Sequence, residues 1–92
     1  MIDRNPTAQQ KEILYLLSVS EGRLLLKLRE RRGSFGLFDG GQRIGDHLFH
    51  PSTVISAYEK GLVGGDSVHG YYLALAGKSY LERARSYALP AV

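Results

Sequence analysis

The chain has 92 residues, 43% of them hydrophobic, which suits one domain with one modest core and is too few for two. It contains no cysteine, so disulfides and thiolate metal sites are excluded. Twelve Lys and Arg against nine Asp and Glu leave a formal charge of +3, mild for a committed nucleic-acid binder. Apolar runs such as Ile13 to Leu17 are far below bilayer length and Met1 to Gln10 is too polar for a signal peptide. The expectation is a cytoplasmic protein with no membrane partner.

Thr7, with Gln10 three residues on, has the spacing of a capping box, which starts a first helix at Ala8 behind a flexible tail at 1–6. Ile13, Leu16 and Leu17 share its apolar face with Val19 or Ser20 near the end, while Gln9, Lys11 and Glu12 stay in water and Glu21-Gly22 stops the helix. From Arg23 to Arg29 two readings stay open. Leu24, Leu26 and Leu28 alternate as in a strand, whereas Leu24, Leu25 and Leu28 suit a helix closed by Gly33. Here Arg23, Lys27, Arg29, Arg31 and Arg32 fall within ten residues, interrupted only by Glu30. Such a run is either a solvated face or a phosphate-contacting patch. Ser34 to Phe38, Asp39-Gly40-Gly41 and Gln42 to Ile44 then read as a β-hairpin around an Asp-Gly turn.

Pro51 suits the first position of a helix running to Lys60, because its missing N–H would be unpaired there anyway, and Ser52 or Thr53 can cap neighbouring amides. Val54, Ala57 and Tyr58, with Leu62 beyond, form its buried side. Ser52, Thr53, Ser56, Glu59 and Lys60 fall opposite, and Gly61 supplies the left-handed stop. Leu62-Val63 and Tyr71-Tyr72-Leu73 flank a glycine-rich tip at 64–70, the pattern of a two-stranded wing. The stretch from Ala76 to Leu89 is helical in pattern, with Tyr80, Leu81, Ala84 and Tyr87 or Ala88 for the core, before Pro90 and a short tail at 89–92.

Two segments, STVISAYEKGLV and YYLALAGKSYLERA, resemble the recognition helix with its exit and the wing's return strand with the following helix of the winged helix-turn-helix superfamily, especially small bacterial transcription regulators of the multiple-antibiotic-resistance-repressor type. Together they cover about a third of the chain. The resemblance implies an α+β winged helix-turn-helix with an added hairpin in its N-terminal half. It implies a transcriptional regulator that contacts double-stranded DNA through helix 51–60 and wing 64–70, as a homodimer because one module covers little duplex. Ser52, Thr53, Ser56 and Lys60 would meet DNA, supported by Arg43 and His69. Three features depart from the pattern. Ala74 stands where the family has a capping Thr, the wing tip offers Asp66, Ser67 and His69 without Arg or Lys, and Gly45 to Phe49 leaves room for at most one turn of a positioning helix. A helix face with no Arg, Asn or Gln cannot make bidentate base contacts, so the alternative is a winged-helix module that binds a protein partner as an adaptor or inhibitor.

No catalytic, metal or cofactor role is expected. His47 and His50 form an H-x-x-H beside Asp46, but spacing supplies no third ligand, even with His69 on the wing. Ser52 or Ser56 with His50 lacks a nucleophile elbow. Gly36, Gly40, Gly41 and Gly45 match no phosphate loop. The six tyrosines read as core residues with surface hydroxyls.

Overall fold

The computed structural model describes residues 5–29 and 33–88, with the side chains of 85–88 excepted. Its elements run α1 (Ala8–Ser18), β1 (Arg23–Lys27), β2 (Phe35–Asp39), β3 (Gln42–Arg43), α2 (Pro51–Glu59), β4 (Val63–Asp66), β5 (Gly70–Leu73) and α3 (Leu75–Ala88). The five strands form one antiparallel sheet in the order β3-β2-β1-β5-β4. The fold is α+β, with one core formed between the helices and one face of this sheet.

The capping box forms as its spacing predicts: the Gln10 amide donates to the Thr7 hydroxyl at 3.3 Å and the Thr7 amide to the Gln10 side chain at 3.0 Å. The buried stripe is Gln10, Ile13, Leu14 and Leu17. Leu16 is half-buried, and Val19, beyond the last turn, is 69% exposed, which removes it from the expected face. Within the tail expected at 1–6, only residues 5 and 6 are described. Pro6 is buried and the Asn5 carbonyl accepts a bond from Lys60, while residues 1–4 and 89–92 lie outside the described residues.

The open question at Arg23 to Arg29 resolves as a strand. Cross-strand pairing along its whole length with β2, and with β5 through Leu25 and Tyr71, makes β1 the centre of the sheet. A central strand satisfies both rows of its backbone groups, which an isolated helix of this length cannot match in tertiary support. The Asp39-Gly40 turn also forms: Gly40 and Gly41 both have positive φ, 60° and 86°, as a two-residue hairpin of matching twist requires.

Strand alternation divides the sheet into two faces. Leu25, Leu37 and Tyr71 are cross-strand neighbours beneath the helices and join Ile13, Leu14, Leu17, Phe35, Val54 and Val63 in the core. Leu24, Leu26 and Leu28 project to the other side, where Phe38 lies opposite Leu24 and Gly36 opposite Leu26. The final helix passes very close to the sheet at Gly77, which is buried. Of the residues expected in its core, Tyr80, Leu81 and Ala84 are half-buried; the side chains of Tyr87 and Ala88 lie outside the described residues.

Candidate functional site

The helix expected at 51–60 spans Pro51–Glu59, with Lys60 as its C-cap and Gly61 at φ 78° ending it. Its N-cap is neither Ser52 nor Thr53. His50 takes that role, its Nδ1 accepting the Ser52 amide at 3.1 Å, with the Ser52 hydroxyl 2.8 Å from the same nitrogen. The ring sits one residue before Pro51 and reaches the first free amide of the turn. The Ser52–His50 contact has the distance of a nucleophile and its base, yet the imidazole is spent on the cap, and no carboxylate among the described residues hydrogen-bonds to it.

Val54 and Ala57 are buried as expected. The polar residues divide into two sets. Thr53, Ser56 and Lys60 share a stripe turned toward the start of α1: the Thr53 hydroxyl donates to Gln9 Oε1 at 3.2 Å, and Ser52, Thr53 and Ser56 line a shallow hollow with Thr7, Ala8, Gln9 and Gln10. Lys60 Nζ donates to the Asn5 carbonyl at 2.9 Å and to Gln10 Oε1 at 2.8 Å, while Gln10 Nε2 donates to the Thr53 carbonyl at 3.1 Å. Buried Gln10 thus ties both ends of α2 to the first turn of α1. The outward side instead carries Ile55, Tyr58 and Glu59. Tyr58, expected to be buried, is 49% exposed, its ring packed edge-on against buried Tyr71 with 5.8 Å between centroids. Ile55 is 47% exposed. The one available sequence signal for this rotation was the polar run Thr7, Gln9 and Gln10, whose amides need partners that hydroxyls on α2 supply.

At the position expected for a wing, β4 and β5 form an antiparallel hairpin, its strands taking in the glycines at both ends of 64–70 and leaving Ser67, Val68 and His69 as the tip. Asp66 organises this tip. Its carboxylate accepts the amides of Val68 at 2.8 Å and His69 at 2.7 Å, with the His69 ring 3.1 Å away. The His69 amide, then the His69 ring and the Val68 amide, hold the Asp66 carboxyl below its ordinary titration range. A lowered carboxyl pKa adds stability at neutral pH that disappears as pH falls through the folded-state titration. Carboxyl-carbon NMR should therefore show Asp66 titrating below an unfolded Asp, with the Val68 and His69 amides moving in step. Titration at the ordinary value would contradict this tip geometry.

The other sequence-selected residues are dispersed. Arg43 lies on β3 and His69 in the turn after β4, near opposite edges of the sheet. In the cationic run, Arg23 is structural: its Nη1 donates to the Leu16 carbonyl at 3.0 Å and its Nε lies 3.5 Å from Asp39 Oδ2. Lys27 and Arg29 are exposed, and Glu30, Arg31 and Arg32 lie outside the described residues. The histidines do not converge. His47 faces Glu12 at 3.8 Å and stacks on Phe49, His50 caps α2 and His69 pairs with Asp66; no three-residue cluster of metal-ligating type occurs among the described residues.

Side chains of α2, β2 and β5 do come together, around Tyr71. Phe35, paired with Lys27, packs edge-on against Tyr71, and Tyr58 packs edge-on against the same ring. Gly33 abuts Pro51, so the far end of the β1–β2 connection meets the start of α2. No described helix is long and apolar enough to cross a membrane. Comparison with protein-family models, curated proteins and solved structures found no match.

Proposed function

We propose that this chain is a winged-helix-like interaction module that docks a protein partner through the outward side of α2. The carrying observation is what that side displays. Ile55 and Tyr58 are about half exposed beside exposed Glu59, while the only cation on the helix, Lys60, spends its donors on Asn5 and Gln10. Entry into a DNA groove calls for cations against phosphate and for Arg, Asn or Gln against base edges. An aromatic and an aliphatic anchor with Lys27 and Arg29 at the rim is instead the make-up of a protein interface. The order of elements supports the winged-helix likeness, with the β2–β3 hairpin standing where a helix usually precedes the recognition helix.

Duplex DNA is the second reading, favoured by exposed Lys27 and Arg29 near the start of α2 and by the net charge of +3. Fluorescence anisotropy of a labelled random duplex at low salt separates the two, together with a photo-crosslinking residue installed at Ile55 in cells. Protein docking gives no anisotropy change and a discrete protein adduct at position 55 that is missing from a control at Lys78. Salt-sensitive duplex binding that Lys27→Ala and Arg29→Ala weaken would establish DNA instead. Lys60→Ala is informative in both cases. On the DNA reading it flattens the salt dependence by about one unit; with its amine held internally it costs about 1–2 kcal/mol of stability and leaves that slope alone.

A further inference from the structure

The sheet face turned away from the helices is apolar at its centre and oppositely charged at its two edges. Arg43 pairs with Phe38, Phe38 with Leu24, and Tyr72 with Gly64, and the Leu25–Tyr71 register sets Leu24 level with Tyr72. One row therefore crosses all five strands: Arg43, Phe38, Leu24, Tyr72, Gly64. The next holds Gly36, Leu26, Gly70 and Asp66. Glycines let the large side chains lie flat. A methyl group on Gly64 would come within 2.7 Å of the Tyr72 ring, one on Gly70 within 2.6 Å of Leu26, and one on Gly36 within 3.1 Å of Leu28 and 3.3 Å of Arg43 Nε. Tyr72 remains 50% exposed.

The geometry points to a second copy of this chain as the occupant of this face, with two sheets packed face to face about a two-fold axis running along the strands. Such a rotation exchanges the sheet's edges. Phe38 then meets the partner's Tyr72, Leu24 meets the partner's Leu24 near the axis, and Arg43 passes over the partner's Gly64 toward the partner's Asp66, one row or about 7 Å along the strand. The same two contacts recur in reverse, as an isologous interface requires. Charge decides between the possible stackings. An axis across the strands would set Arg43 over the partner's Arg43, whereas the axis along them sets each edge against its opposite. Aligned sheet packing tolerates the twist this arrangement needs. The inference does not depend on what α2 binds, because the helices cover the other face.

The test is sedimentation of the full chain across a concentration series, with Arg43→Glu and Asp66→Arg examined separately and then mixed in equal amounts. The parent chain should dimerise with concentration. Each variant alone faces two like-charge contacts and should associate at least tenfold more weakly, whereas the mixture, which restores two opposite-charge contacts per dimer, should recover the parent's affinity. Asp66→Arg also removes the tip hydrogen bonds, so circular dichroism accompanies it. Phe38→Ala, neutral and clear of the tip, should weaken association about tenfold whether or not that variant folds. A parent chain that stays monomeric at the highest concentration overturns the inference, as does Phe38→Ala dimerising at full strength, or folded charge variants whose mixture stays monomeric.

Discussion

Gly77→Ala should lower the melting temperature by about 15 °C, although alanine is the better helix former by about 1 kcal/mol. At this point α3 crosses the end of β4 so closely that a methyl group would be driven into the Leu62 carbonyl oxygen, 2.8 Å from Leu73 Cδ1 and 3.1 Å from Leu14 Cδ2. The two leucine side chains can turn aside. The carbonyl cannot, because it already accepts the Ala74 amide at 3.1 Å and so fixes the chain on both sides of the β4–β5 hairpin. Relief must come from α3 lifting off, which unpacks Tyr80 and Leu81 from the core. Overpacking of this kind costs about 3 kcal/mol, which outweighs the gain in propensity. Thermal unfolding checks the balance: a melting temperature that stays level or rises would mean that α3 does not rest against Leu62.

The second large effect is Leu25→Ala, expected to cost about 2–5 kcal/mol in urea unfolding. Leu25 is fully buried in the central strand, flanked by Leu37 on one neighbour and Tyr71 on the other, with α1 above. Strands on both sides hold the backbone in place, so the cavity cannot collapse. Leu24→Ala, one residue earlier and on the opposite face, removes the same atoms from a half-buried site and should cost less than half as much. Equal costs at the two positions would reverse the assignment of the core side.

Much of the framework was legible because it rests on local chemistry. The Thr7–Gln10 box, the glycine pair after Asp39, Pro51 at the start of α2 and Gly61 at its end each demand a backbone geometry that few other residues tolerate. Arg23 to Arg29 was ambiguous for an equally physical reason: seven residues of Leu, Lys and Arg satisfy both periodicities, and only β2 and β5, distant in sequence, decide between them. The site was less legible. A nine-residue helix carrying hydroxyls on two of its sides gives no local indication of which side faces solvent. The answer lay in Gln10, whose side chain bonds Thr53 and Lys60 more than forty residues away. Tyr58 misled for a related reason, since a tyrosine lying edge-on over Tyr71 can pack against the core and still leave half its surface in water.

The pairing of Leu25 with Tyr71 spans 46 positions of chain. During synthesis a leucine-rich strand therefore leaves the ribosome well before the strand that closes its second edge has been translated. Until then its unpaired backbone and apolar side chains are open to other nascent copies. Slow, concentration-sensitive refolding, and a benefit from holdase chaperones during expression, follow from that one long-range pair.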